Sequence, residues 1–369
     1  MNEPQSFHEI PVPLGERGYQ ITVGTGLLDQ VGERAKALGF QSPVPIITDS
    51  QVAPLYGDRI RRSLEQAGYR TGILTFPAGE PAKTLDTVAR LYDGMVRLRP
   101  ERLSGLIALG GGVAGDVAGF VAATYLRGIR FIQVPTTLLA QVDASVGGKV
   151  GIDHPGGKNL IGAFHQPSAV LIDPATLQTL DPRQVRAGLA EVIKHGVIAD
   201  QELFEAVREL LPRLLATDLE TYCRIIPWNC RIKAEVVRQD EKESGLRAIL
   251  NFGHTIGHAV EALTGYERYL HGEAVALGMV VEARLGEALG ITPAPVTRAL
   301  ESLLRQAGFS LARPGLSADD LLESLFRDKK VEKGLLRFVF PTAIGRVIIQ
   351  PVDDPALVRR TWELYGPNP

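Results

Sequence analysis

The stretch Leu106-Ile107-Ala108-Leu109-Gly110-Gly111-Gly112-Val113-Ala114-Gly115-Asp116 decides the fold of this chain. Four apolar residues read as a buried strand, and three glycines break the run before a small-residue segment of helical character. The letters from Gly110 to Gly115 match G-x-G-x-x-G placed after a strand, the pattern in which glycines let the backbone approach a pyrophosphate at a helix N-terminus. A tight packing turn would give the same letters. The acid that reads the ribose about twenty residues further on is missing, because residues 131–142 carry no carboxylate. Asp49, at the end of an earlier strand, is the candidate to replace it. The wider apolar stretch 103–126 raises the question of a membrane span. Asp116 and the glycines interrupt it, so a strand, a turn and a helix explain it better.

Working outward, residues 7–25 alternate about Gly15-Glu16-Arg17-Gly18, which predicts an opening β-hairpin. Strand-like runs at 44–48, 71–76 and 131–134 alternate with helical patterns at 59–67 and 84–97, the signature of a parallel sheet covered by helices. Beyond Asp181-Pro182 the pattern becomes helical, at 185–198, 203–215, 221–237 and 274–289, with one small hairpin at 336–340 and 346–350. The expected architecture is an α/β, Rossmann-like nucleotide-binding domain over residues 1–181. A mostly α-helical metal- and substrate-binding domain follows over 182–369.

Composition narrows the function class. A net charge of −2 over 369 residues argues against a nucleic-acid binder, whose footprint is strongly basic. Two cysteines, Cys223 and Cys230, give no disulfide framework, and the first residues lack the pattern of a secretory signal. The expectation is a cytoplasmic protein with no membrane partner.

Two polar clusters carry the chemistry. Three of the seven histidines, His254, His258 and His271, fall within eighteen residues, and His254 and His258 share one helical face. Glu191 and Lys194, three apart, share another. A carboxylate and two imidazoles make a known catalytic zinc set, whereas helix caps and satisfied surface histidines are the bland reading. Gly253, Gly257, Gly265 and Gly272 flank the histidines and suggest close backbone approach. The second cluster is Gly147-Gly148-Lys149 with Gly156-Gly157-Lys158-Asn159, two lysines in glycine-rich loops, with Asp143 nearby. A lysine there suits phosphate or carboxylate as a point charge. No Ser or Thr follows as a Walker A loop requires.

Together these motifs, with Pro135-Thr136-Thr137-Leu138-Leu139-Ala140-Gln141-Val142-Asp143, Asn251-Phe252-Gly253-His254 and His271-Gly272-Glu273, resemble the 3-dehydroquinate synthase family in order over residues 7–350. The resemblance implies an NAD- and zinc- or cobalt-dependent lyase of the shikimate pathway. Such an enzyme converts 3-deoxy-arabino-heptulosonate 7-phosphate to 3-dehydroquinate and phosphate. It implies Glu191, His254 and His271 as metal ligands. It implies nucleotide contacts at Asp49, Glu80, Lys83, Gly111, Gly112, Val113, Ala114, Gly115, Asp116, Thr136, Thr137, Lys149, Lys158 and Thr176-Leu177-Gln178-Thr179. Substrate contacts are implied at Asp143, Lys149, Lys158, Asn159, Lys194, Lys233, Glu243, Arg247, Asn251 and His258, and at a lysine of Asp328-Lys329-Lys330, assigned to Lys330. The family also implies a homodimer in which Arg127 reaches the neighbouring subunit's phosphate pocket. His195 departs from relatives, which often carry an aromatic residue there. Competing expectations are another sugar phosphate cyclase, of valiolone or deoxy-inosose type, a metal-dependent polyol dehydrogenase, and a non-catalytic binding protein of the same fold.

Overall fold

Alternation along the run before the triple glycine divides the interior of the first half into two cores. Leu106 and Ala108 face one and Ile107 and Leu109 the other, as the period of a strand buried on both faces requires. The structure is a computed structural model describing residues 7–327 and 336–365. Its first elements are β1 (His8–Val12), β2 (Tyr19–Val23), α1 (Val31–Ala37), β3 (Ile46–Asp49), α2 (Asp58–Gln66), β4 (Ile73–Phe76), α3 (Leu85–Leu98), β5 (Gly105–Gly110), α4 (Gly112–Thr124), β6 (Arg130–Pro135), β7 (Lys149–His154), β8 (Gly157–Phe164) and β9 (Ala169–Ile172).

Seven strands form one sheet in the order β1-β2-β9-β6-β5-β3-β4. Only the opening hairpin β1–β2 is antiparallel; every other pairing is parallel. Residues of α1 and α2 line one core and residues of α3 and α4 the other. The expected strand–turn–helix at 103–126 is β5 followed by α4. No helix among the described residues is long and apolar enough to cross a membrane.

One segment departs from expectation. One of the two glycine-rich loops is the turn of a hairpin, β7 paired antiparallel with β8, and the other leads into β7. Gly147 and Gly148 take left-handed φ values of 101° and 63° on the way into β7, a conformation that costs glycine little. The glycines serve the turns, and Lys149, Lys158 and Asn159 stand on strands.

The second half supplies α5 (Pro182–Ala199), α6 (Gln201–Leu215), α7 (Leu219–Gln239), α8 (His254–Leu263), α9 (His271–Ala288), α10 (Ala294–Gln306), α11 (Ala318–Arg327), the hairpin β10 (Leu336–Ala343) and β11 (Arg346–Val352), and α12 (Pro355–Leu364). Asp181 begins it as the N-cap of α5, its side chain accepting a hydrogen bond from the Arg183 amide. Two compact units result: the described residues up to Leu180 with Tyr222–Glu241, and Asp181–Thr221 with the described residues from Lys242 onward. The second half is therefore not one contiguous domain, because most of α7 belongs with the first unit. There Cys230 Sγ lies 3.4 Å from the Gln141 carbonyl oxygen, and the Lys233 ammonium is 2.5 Å from the Asp143 carbonyl oxygen.

In the second unit, glycines set the helix spacing. A Cβ at Gly272 would stand 1.9 Å from the Ala187 carbonyl oxygen of α5, and one at Gly278 would stand 2.0 Å from the Gly253 carbonyl oxygen. A Cβ at Gly257 would meet the Ala274 carbonyl at 3.1 Å. The close approach expected of Gly253, Gly257 and Gly272 is thus helix against helix; Gly265 has nothing near it. Because Ala187 and Glu191 are one turn apart on α5, the contact at Gly272 brings Glu191 opposite His271. A Gly272→Ala variant must push α5 from α9. It should lose at least about 1–3 kcal/mol in denaturant titration and bind divalent cations more weakly than wild type. Wild-type stability would refute the spacing role.

Candidate active site

The carboxyl ends of the parallel strands gather the first set of polar groups. The chain leaves β3 toward β4 on one side and β5 toward β6 on the other, so β3 and β5 flank a topological switch point, where open α/β sheets bind ligands. Asp49 ends β3 and Gly110 ends β5. One Asp49 oxygen accepts from the amides of Gln51 and Val52 at 2.8 and 3.0 Å, and the other would lie 3.2 Å from a Cβ at Gly110. Next along, α4 starts at Gly112 with Gly111 as its N-cap and no side-chain cap, which leaves first-turn amides for an anion. A Cβ at Gly111 would press on Thr137 Cγ2 at 3.0 Å, and the Thr136 amide donates to the Gly110 carbonyl.

Beyond β9, Pro174–Thr179 forms a 3-10 turn. Thr176 and Leu177 are buried, the Thr176 hydroxyl bonded by Gln141 at 2.9 Å, while Gln178 and Thr179 are exposed.

The β7–β8 hairpin adds a charged network. Lys83, almost wholly buried, donates to Asp116 at 2.6 Å and to the Asn159 side-chain oxygen at 2.5 Å. Lys158 pairs with Glu80 at 3.3 Å. Burial opposes a charge on Lys83, but Asp116, Glu80 and Asp153 together hold its pKa above the ordinary value. Burial pushes Asp116 upward against the pull of Lys83. The reading of the sequence missed Asp153, which accepts the Asn159 amide at 2.8 Å and so pins the left-handed Asn159 at φ 54°. Its only signal was its place one turn from Gly156-Gly157-Lys158.

The second unit holds the histidines. The first α8 residue is His254, and its Nδ1 lies 3.2 Å from the Phe252 carbonyl oxygen. His271 opens α9 with Nδ1 donating to Glu261 at 3.1 Å. With Nδ1 so engaged, each ring turns Nε2 toward Glu191 Oε1, at 3.5 Å from His254 and 3.6 Å from His271. Those separations are long for hydrogen bonds. They match the roughly 3.3–3.6 Å between ligand atoms of a tetrahedral zinc with bonds of about 2.0–2.2 Å. The other Glu191 oxygen contacts Lys194. Desolvation opposes protonation of His271, yet Glu191 and Glu261 raise its pKa to about 10. The field that favours a proton there also favours a divalent cation, so the donor set fits a zinc-like ion.

His258 lies beside both rings, its centroid 5.3 Å from that of His254 and 5.8 Å from that of His271. Glu261, also missed in the sequence, follows His258 by three positions on the histidine face, a spacing that could have found it. Glu273 pairs with Arg183 at 2.7 Å and accepts the Leu270 amide, so it caps α9.

Asn251 donates to Glu243 at 2.9 Å, and Arg247 is buried on the 3-10 turn between them. Lys194 and His195 are buried within α5. In the first unit Lys233 also pairs with the Asp143 carboxylate, while Lys149 is exposed at the start of β7. Arg127 is exposed after α4. Lys330 lies outside the described residues. If Glu261 orients His271, Glu261→Gln should weaken zinc binding about 10- to 100-fold in a chelator competition. Unchanged affinity in the folded variant would show that His271 needs no such support.

Comparison with known proteins identifies the family. A family model described as 3-dehydroquinate synthase N-terminal matches residues 73–187, and one described as 3-dehydroquinate synthase C-terminal matches residues 188–331. A 3-dehydroquinate synthase of Desulforamulus reducens is 50% identical over 341 residues, 92% of this chain and 95% of the relative. Among solved structures, 2-epi-5-epi-valiolone synthase from Streptomyces hygroscopicus subsp. jinggangensis, with NAD+ and Zn2+ bound, superposes with a TM-score of 0.87 at 27% identity. That match covers 94% of this chain and 96% of the other. A 2-deoxy-scyllo-inosose synthase complexed with carbaglucose-6-phosphate, NAD+ and Co2+ gives a TM-score of 0.87 at 28% identity, covering 97% and 99%.

Proposed function

We propose that this chain, which belongs to the 3-dehydroquinate synthase family, converts 3-deoxy-D-arabino-heptulosonate 7-phosphate to 3-dehydroquinate and phosphate. The observation that carries this reading is the Glu191–His254–His271 donor set in a chain half identical to a protein of that name. The cofactors are NAD and a Zn2+ or Co2+ ion, both of which accept an N/O donor set. When bound, the nucleotide takes up and returns one hydride, and the ion acidifies a substrate hydroxyl and polarises the carbonyl that follows.

The remaining work falls to the chain's own side chains. Asp49, the Gly111–Asp116 turn, Thr136, Thr137 and the Thr176–Thr179 turn hold the nucleotide, with Glu80 and Lys83 beside them. In the first unit, Asp143, Lys149, Lys158, Asn159 and Lys233 are assigned to the phosphorylated sugar acid, the lysines as point charges for its anionic groups. In the second, Lys194, Glu243, Arg247, Asn251 and His258 are assigned to the same substrate. Arg247 suits a bidentate bond to the substrate carboxylate, and His258 a proton at the departing phosphate. A valiolone- or inosose-forming cyclase would use the same cofactors; 50% identity to a dehydroquinate synthase against 27–28% to those cyclases favours the first reading. A polyol dehydrogenase would not need the lysine set.

The experiment is phosphate release from the heptulosonate phosphate with substoichiometric NAD+. Chelator should abolish turnover, and Zn2+ or Co2+ should restore it. Phosphate release from a hexose or sedoheptulose phosphate instead would overturn the substrate assignment.

The enzyme is further proposed to be a cytoplasmic homodimer in which Arg127 completes the phosphate pocket of the other subunit. Supporting this, Leu126 and Arg127 are exposed on a turn where both take left-handed φ values, 52° and 67°. Such backbone is uncommon outside glycine and collects at functional sites. Mixing Arg127→Ala subunits with Lys149→Ala subunits should restore one working site per mixed dimer. No recovery despite demonstrated subunit exchange would place Arg127 in its own subunit's chemistry.

A further inference from the structure

We propose that Glu282 is a positioning residue for the metal centre: its buried carboxylate ties the start of α8 to α9 and thereby holds His254 opposite Glu191 and His271. The inference rests on the metal reading of that donor set.

Glu282 lies at the start of the fourth turn of α9, wholly buried. One oxygen accepts the Gly253 amide at 2.9 Å and the other accepts the Ile256 amide at 3.3 Å. Both amides belong to the start of α8, where no intrahelical acceptor exists. The N-cap is Gly253, which has no side chain to cap with and sits at φ 80°. A carboxylate from the neighbouring helix takes the role a capping Ser or Asp would play, and the positive end of α8 favours its charge.

That N-cap cannot be exchanged for an ordinary one. A Cβ at Gly253 would meet Met279 Cγ at 2.5 Å and the Val275 carbonyl at 2.7 Å. The packing that demands glycine therefore removes the local cap, and Glu282 supplies it from one turn beyond Gly278 on α9. His254 and Thr255 lie between the two clamped amides, so the carboxylate sets where the His254 ring begins.

The same helix carries His271. Eleven residues separate His271 and Glu282, about three turns, which returns both to nearly one face at roughly 100° per residue. One rigid helix thus presents one imidazole directly and fixes the other through its backbone. A burial-only role would not need both carboxylate oxygens to accept backbone amides at the start of α8.

The test compares Glu282→Gln, close in shape but with an NH2 facing a backbone donor, with wild type and with His254→Ala. Affinity for Co2+, its visible spectrum, NAD+ affinity and Tm are measured on each full-length chain. Positioning predicts that Glu282→Gln binds Co2+ about 10- to 100-fold more weakly, with an altered spectrum and wild-type NAD+ affinity. Wild-type Co2+ affinity and spectrum in folded Glu282→Gln, with binding lost in His254→Ala, would overturn the positioning role alone. Retained Co2+ in His254→Ala would instead overturn the metal reading beneath it. Should Glu282→Gln fail to fold, amide exchange in the metal-free wild-type protein decides. Protection of the Gly253 and Ile256 amides supports the clamp, and exchange at the rate of an open loop refutes it.

Discussion

The contact of backbone with backbone where α9 crosses α5 and α8 is the constraint on which the proposed metal site depends. Gly272 lets α9 touch the Ala187 carbonyl, and Gly278 lets it touch that of Gly253. At those spacings His254 Nε2 and His271 Nε2 stand 3.5 and 3.6 Å from Glu191 Oε1, although the three residues come from three helices. Any side chain at the crossing points would add an ångström or more between helices and separate donor atoms that, in the proposed metal site, would lie within about 2.2 Å of one ion. Small residues here set the dimensions of the site; the histidines and the glutamate only fill it.

That arrangement buries charge, which is costly unless every group has a counterpart. Glu191 meets it by facing Lys194 with one oxygen and the two imidazoles with the other. His271 is held between Glu191 and Glu261, which together outweigh its desolvation. The first unit solves the same problem at Lys83, with Asp116 and Asn159 as direct partners. In both places the negative groups lie ready for a cation or a hydrogen-bond donor, so a ligand replaces one partner and need not create a new polar environment.

Much of this was legible in the sequence, for identifiable reasons. The run before Gly110 is apolar at every position, as a strand buried on both faces must be, and the glycine turn follows it in the expected place. A helix such as α6 showed its period because one face, Leu203, Phe204, Val207, Leu211 and Leu214, is buried, whereas α5 and α9 are buried almost all round. The β7–β8 hairpin was not legible, since the glycines that read as two loops lead into β7 at 147 and 148 and form the turn and first β8 residue at 156 and 157. The place of α7 was equally hidden: its helical period says nothing of which unit receives it, and Cys230 and Lys233 are answered by Gln141 and Asp143, about ninety residues away. Of three charged supports, Glu282 carries no motif, and Asp153 and Glu261 are marked only by their spacing from the lysine and histidine motifs. Their roles arise from partners that only the folded chain brings near.

The two units reach precision by different means. In the first, the polar groups sit on turns at the carboxyl ends of parallel strands, and the strands fix where each turn begins. Turns of this kind tolerate adjustment, and nearby strand residues, Asn159 in β8 and Gly110 at the end of β5, hold left-handed backbone that a neighbouring carboxylate or the lack of a side chain makes possible. In the second, the groups project from helices locked by backbone contact, where a shift of one helix moves every ligand on it. Recognition of a nucleotide spreads over many hydrogen bonds and survives small errors in each. Coordination of one ion by three atoms does not, because each bond length is nearly fixed. The more demanding chemistry is accordingly carried by the elements with the least freedom to move.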